Sequence, residues 1–536
     1  MMIIGMSNIV SRLTTLDYAI VVAYLVILMV IGYRASFGKK KKSEEGETLF
    51  LANKSLGWSS IGFNMWGTNV GPSMLVAFAS IGFKTGIVAI NFEWYAFIFL
   101  MLLALVFAPR YIAAKVSTMP EFMGQRYGDS TQNILAWYAL IKIQISWLSL
   151  GLFAGGFLVR QILGIPMWQS VIVLVSFAGL FAYAGGLKAI AKVNVFQMIL
   201  LIGVSVTLTI IGVNKAGGLS TVWHAVPSHF WNLVRPASDP DYPWYAILLG
   251  YPVSAVAFFC TDQAMVQSVL GAKNLEQGQL GVNFIGWLKI LSLPLFILTG
   301  ILCLILFPNI GSPDEAYMTM VTNLFPSGMN GLVIVVLIAV LVGTIGSSLN
   351  SLSTVFTMDV YAKKIKPDAT NKELISMGRL VVVVGCLFAI GMALAIDSIK
   401  GLNLFDVFQS ILGFIAPPLS VVFLLTVFWT RMSKKAVNTI LSAGSAFSLG
   451  TGVMYLWVFP QKDYHIWPHY MLLSFYIFAF LFVVAVLISV LDPSPTLYKA
   501  TAQQTADIAK PTKRVKIAWA MLCVVMVILY IVFNGH

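Results

Sequence analysis

The chain is divided almost from end to end into apolar runs of roughly 20 residues, separated by short polar stretches, and this pattern sets its solvent. A helix rising 1.5 Å per residue needs about 20 residues to cross some 30 Å of hydrocarbon. A membrane β-strand needs about half as many and alternates in polarity. The runs here are long and do not alternate, so the sequence predicts helices, each satisfying its backbone hydrogen bonds internally. Composition agrees: 59% of the 536 residues are hydrophobic, 10% are charged, and the mean hydropathy is +0.87. A water-soluble surface could not hide that much apolar side chain.

Spans are expected near 16–33, 57–83, 87–112, 132–163, 166–184, 188–213 and 244–270. Further spans are expected near 277–307, 326–362, 372–396, 403–429, 433–458, 467–491 and 515–533, about fourteen in all. The first run lacks a cleavage site and is expected to remain as a span. The net charge of +13 is spread over loops and not gathered on one face, which argues against nucleic-acid binding. Alternate loops collect Arg34, Lys39–Lys42, Arg110, Lys115, Arg126, Lys363, Lys364, Lys434, Lys435 and Lys513. The other side holds Arg12, Lys215, Arg235, Lys400 and Lys462, so the positive-inside rule places both termini of this multi-pass cell-membrane protein outside the cytoplasm. The four cysteines fall inside apolar runs without CxxC spacing and are expected to pack as small hydrophobes.

Two spans carry their own helix breakers. GTNVGP, Gly67–Pro72, interrupts the second span. Five spans onward, GYP (Gly250–Pro252) and the polar run Cys260–Gln263 interrupt the seventh. Interrupted helices at matching places in two halves point to a transporter built on inverted repeats with its site near the bilayer midplane; a simple proline kink in each is the alternative. The expected fold class is therefore an all-α membrane protein, with a core of two inverted five-helix repeats. The division is 1–56 (leading helix and loop), 57–213 (first repeat), 214–243 (outer loop), 244–432 (second repeat) and 433–536 (three further helices and a linker). Glu93, Lys142, Lys289 and Gln409 place polar groups inside spans, where they survive by pairing or by meeting water; a structural pair or a snorkelling side chain remains open for Lys142.

After a small-residue helix, VFTMDVY (Val355–Tyr361) resembles the ninth-span signature of the sodium:solute symporter family. LANKSLGW (Leu51–Trp58), FEW (Phe92–Trp94), TMPEFMGQRYG (Thr118–Gly128) and YAGGL (Tyr183–Leu187) are similar in order and spacing to its sodium/glucose cotransporter branch. The resemblance implies fourteen spans and a sugar held by polar residues matching Asn69, Glu93, Lys289 and Gln409. One carboxylate, one ammonium and two amides offer the donors and acceptors a neutral polyol needs. Met74, Ala255 and Phe258 stand where sugar carriers often show polar groups, so a less polar sugar is implied, an unpartnered buried hydroxyl costing about 1–3 kcal/mol. Phe258 and Phe405 would be inner and outer gates, or plain packing.

The resemblance also implies a sodium ion between the second and ninth spans, at the carbonyls of Gly67, Val70 and Val340. The family's two adjacent hydroxyls are here Gly343 and Thr344, and its aspartate on the sixth span is Asn194. Both changes weaken a cation site, although water could replace the lost ligand. An ammonium from Lys192 could instead stand in for the cation and make transport sodium-independent or proton-linked. Two residues are about 200° apart around a helix, however, and snorkelling is easier for Lys192. Sodium-coupled symport of a sugar or polyol is therefore the expected function, with the bilayer and a small solute as partners and no obligatory protein partner evident. A membrane enzyme is disfavoured because no nucleophile and base, and no metal set among the five histidines, come together in the sequence. A channel would show a continuous polar lining. A solute sensor that binds without transporting is the third alternative.

Overall fold

The apolar runs fold as helices. The computed structural model of the protein describes residues 14–37, 50–326, 329–398, 404–460, 464, 466–492 and 510–534. Its main helices are α1 (Thr15–Phe37), α2 (Trp58–Asn69), α3 (Pro72–Thr85), α4 (91–113) and α5 (Asp129–Arg160). Next come α6 (Met167–Lys215), α7 (Trp244–Cys260), α8 (Gln263–Leu270), α9 (Leu275–Leu306) and α10 (Asn330–Ile365). The last five are α11 (Asn371–Asp397), α12 (Leu404–Phe428), α13 (Lys434–Val458), α14 (Tyr470–Leu491) and α15 (Lys513–Val532). Among the described residues nine helices are long and apolar enough to cross a membrane, or ten with the bent pair α7–α8. By length and hydropathy alone the number falls short of fourteen. Two of the nine are double length: Met74–Ala113 has 40 residues and Met167–Lys215 has 49. Each contains a left-handed glycine, Gly86 at φ +80° and Gly186 at φ +54°, where the chain can turn back into the bilayer.

The break expected in the second span is present. Helix α2 stops at Asn69, Val70 and Gly71 are extended, and α3 restarts with Pro72 in its first turn, where the missing N–H costs nothing. The seventh-span break lies later than GYP. Gly250–Pro252 is continuous helix, and the interruption falls at Thr261 and Asp262, with a 46° bend between α7 and α8. Neighbouring helices and local π turns let a membrane helix absorb a proline, here by a π turn at Val256–Cys260. Gly250 serves packing: a Cβ there would stand 2.2 Å from the Met471 carbonyl oxygen on α14.

Helix α10 is the centre of the bundle, with 89% of its most apolar window buried, against 22% for α11 and α15, whose outer faces are left for lipid. It packs on α6, α1 and α5. Opposite, α3 and α9 cross at two glycines. A Cβ on Gly300 would lie 1.9 Å from the Ala79 carbonyl oxygen, and one on Gly82 would lie 2.2 Å from that of Ile297. Such a contact admits no side chain on either helix. Gly300→Ala should therefore lower stability by about 1–3 kcal/mol, read as a fall in the thermal unfolding midpoint in detergent; an unchanged midpoint would mean the helices are not in that contact.

Candidate functional site

A cavity of about 200 Å³ lies beside the break between α2 and α3. Its wall takes Asn69 from α2, Met74 and Phe78 from α3, Glu93 from α4, and Lys142, Ser146 and Trp147 from α5. Tyr251, Ala255 and Phe258 come from α7, Thr344 and Ile345 from α10, and Leu412 and Ile415 from α12. Ending α2 at Asn69 is what brings a helix terminus, with its unpaired carbonyls, to this depth.

Of the four polar residues expected to hold a sugar, Asn69 and Glu93 line the cavity, and Lys289 is bonded to both. Lys289 Nζ lies 2.7 Å from Glu93 Oε1 and donates to Asn69 Oδ1 at 2.6 Å. Ser292 Oγ donates to Glu93 Oε2 at 3.2 Å, and Lys289 Nζ sits 5.0 Å above the Phe259 ring. Both charged side chains are almost fully enclosed, 1% exposed for Lys289 and 5% for Glu93. A carboxylate can accept up to about four hydrogen bonds, so Glu93 retains acceptor capacity towards the cavity. Gln409 and Phe405 lie on α12 in the stretch whose side chains fall outside the described residues. Met74, Ala255 and Phe258 all line the cavity, and Phe258 stacks at a tilt on Trp147 with ring centroids 5.3 Å apart.

The residues expected at the cation also converge. Thr344 Oγ1 lies 3.3 Å from the Gly67 and Val70 carbonyl oxygens and 3.1 Å from that of Val340. One hydroxyl proton cannot serve three carbonyls, so the cluster has excess oxygen, the chemistry a hard cation needs. Gly343 borders the same place. A Cβ there would meet Asn194 Oδ1 at 2.5 Å and Gln197 Oε1 at 3.0 Å. Both amide oxygens are fully buried and accept no hydrogen bond. Asn194 donates its N–H to Asn64 Oδ1 at 2.7 Å, which turns the oxygen towards Gly343. Lys192 is exposed while Asn194 is buried, so the structure does not bring the two together.

Lys142 pairs with Asp262, Nζ to Oδ2 at 2.6 Å, with side chains 8% and 1% exposed. Asp262 also caps α8 through the Ala264 N–H and accepts from Trp147 Nε1. The sequence alone gives Lys142 no partner and does not single out Ser146 or Ser292. The available signal was that a buried ammonium needs a carboxylate, and few carboxylates lie inside apolar runs.

Residues 49–439 match the sodium:solute symporter family. The sodium/glucose cotransporter 1 of Oryctolagus cuniculus is 31% identical over 462 residues, covering 78% of this chain and 69% of that protein. The sodium/myo-inositol cotransporter of Homo sapiens is 29% identical over 541 residues, covering 90% and 74%. Both are transporters and not enzymes. Among solved structures, a substrate-bound, outward-open Na+-coupled sialic acid symporter superposes with a TM-score of 0.76 at 17% identity, over 90% of this chain and all of that one. A closed form of Mhp1, a nucleobase-cation-symport-1 family transporter, gives 0.53 at 13% identity, over 87% and 99%. These likenesses establish the fold.

The enclosure of Glu93 and Lys289 makes their dependence measurable. Lys289→Met leaves a buried carboxylate without its counter-ion and should cost about 3–5 kcal/mol, whereas Lys289→Met combined with Glu93→Gln should recover most of the loss. Thermal unfolding of the three variants checks this, and equal losses in the single and the double would mean the charges are not coupled.

Proposed function

The chain belongs to the sodium:solute symporter family, and on that premise we propose that it is a secondary active transporter, coupling movement of a sugar or related polyol to sodium by alternating access. The observation that carries the reading is the Glu93–Lys289–Asn69 cluster, whose Glu93 and Asn69 line the same cavity as Thr344 of the carbonyl cluster. Solute and ion would then bind one hollow, and closing it around both needs a single motion. The broken helices suit such a site, because their freed backbone groups are the ones that can exchange partners with cargo. The relatives named for glucose and myo-inositol support a neutral polyhydroxy solute. Met74, Ala255 and Phe258 make this cavity wall less polar and favour a substrate with an apolar side.

The sodium ligands would be the carbonyls of Gly67, Val70 and Val340 and the hydroxyl of Thr344. Asn194 Oδ1 stands close to where the hydroxyl absent from Gly343 would be, and Gln197 Oε1 lies near it; buried acceptors without donors are places where a cation or water is at home. In this reading the site is altered but not lost. Residues 57–213 and 244–432 form the two five-helix repeats, and both chain ends lie outside the cytoplasm by the positive-inside rule. Each sodium entering contributes about 2.3 kcal/mol per 100 mV, beyond its concentration gradient.

Uptake into proteoliposomes with sodium or choline outside tests the coupling. Concentrative sugar uptake is expected in sodium alone; undiminished accumulation in choline would overturn sodium coupling, and binding without accumulation would make the protein a sensor. Thr344→Ala should raise the half-saturating sodium concentration by about tenfold or more, the loss of roughly 1.4 kcal/mol, and an unmoved value would remove the cage as the ion site.

A further inference from the structure

A second polar corner of the cavity shares no member with the Glu93–Lys289 cluster. Ser146 lines the cavity, is 1% exposed, and its hydroxyl has no hydrogen-bond partner. A serine inside a membrane helix ordinarily returns its proton to a carbonyl of the preceding turn, as Ser149 does to Gln144 O at 2.7 Å in the same π segment. Ser146 does not. One turn earlier Lys142 lines the same cavity, and its ammonium spends one N–H on Asp262. The oxygens of Asp262 are already taken by Lys142, by Trp147 Nε1 at 3.1 Å and by the Ala264 N–H at 2.9 Å. This corner therefore holds an unpartnered hydroxyl and an ammonium with N–H groups left over.

We propose that Lys142 and Ser146 form a subsite that accepts the carbonyl oxygen of an acylamino group on the transported sugar, with the acyl methyl against Trp147 and Leu150. The inference rests on the sugar-transport reading and names the substrate class of that same site. A carbonyl oxygen is the acceptor that such donors lack, and it is neutral. A sugar acid would instead set a second carboxylate beside Asp262 around a single ammonium, which like-charge repulsion in a low dielectric disfavours. The wall next to the donors is apolar, with Trp147, Leu150, Ala154 and Ile345, and a Cβ added at Gly151 would meet nothing within 4 Å. That leaves room for a methyl group where a hydroxyl would lose its water partners. Phe258, packed on Trp147, bounds the subsite, while its neighbour Phe259 lies under Lys289 and belongs to the hydroxyl-binding cluster.

The test is sodium-driven uptake in proteoliposomes, with glucose, mannose and galactose compared with their 2-acetamido-2-deoxy counterparts and with the corresponding uronic acids. At least one acetamido sugar is expected to bind about tenfold or more tightly than its parent hexose. Ser146→Ala should remove most of that ratio, Ser146→Thr should retain it, and Gly151→Val should shrink it by filling the methyl's space; thermal unfolding of each variant shows that it is folded. Equal affinity for parent and acetamido sugars, a ratio that survives Ser146→Ala, or preference for the uronic acids would overturn the subsite while leaving sugar transport intact. Sodium-driven uptake of none of these sugars, nor of a polyol such as myo-inositol, would overturn both readings.

Discussion

Hydrocarbon offers no hydrogen bonds, and the arrangement of this protein follows from how each polar group inside the bilayer finds a substitute for water. Two ammonium groups, Lys142 and Lys289, are enclosed, and each is held by one carboxylate from a different helix. Glu93 brings α4 to α9, and Asp262 brings the tip of α8 to α5. Neither pair is a strong source of net stability, since desolvation offsets most of the attraction, but breaking either leaves a bare charge in a medium of low dielectric. The pairs therefore fix where the helices meet, and the cavity is the space between them.

The same constraint governs the backbone. At Asn69 helix α2 ends inside the bundle, and the carbonyls of Gly67 and Val70 crowd on the single hydroxyl proton of Thr344. At Asp262 the second break is capped differently, by a side chain accepting from the start of α8. One break is left rich in oxygen and the other is closed by a carboxylate. The two breaks thus differ in what they offer, unpaired carbonyl oxygen at the first and a helix tether at the second.

Much of this was legible in the sequence where a residue acts locally. Gly67, Gly71 and Pro72 announce a break by what they cannot do in a helix, and the break is where they put it. Gly250 and Pro252 make the same announcement falsely, because the π turn after Pro252 absorbs the kink and Gly250 is needed for contact with α14. Glu93, Lys289 and Asn69 were grouped through family resemblance, since they lie far apart in the chain and no spacing rule could join them. The pairing of Lys142 with Asp262 was hidden for the same reason. Ser146 does not stand out in the sequence, because a serine in an apolar run is common and its lack of a partner exists only once the neighbouring helices are in place. Asn194 was read as a lost charge; its geometry shows an amide oxygen filling the room that a side chain on residue 343 would take.

The glycine crossing of α3 and α9 has a mechanical consequence. With carbonyl oxygens seated where side chains would be, these helices cannot slide past one another without collision, so they move as one piece. Lys289 rides on that piece, whereas Thr344 rides on α10, packed with α6 and α5. The oxygen cluster is built from the end of α2 and from α10, and α2 packs on both α9 and α6. A shift of α9 against α6 therefore bears on α2, and with it on the carbonyls of Gly67 and Val70.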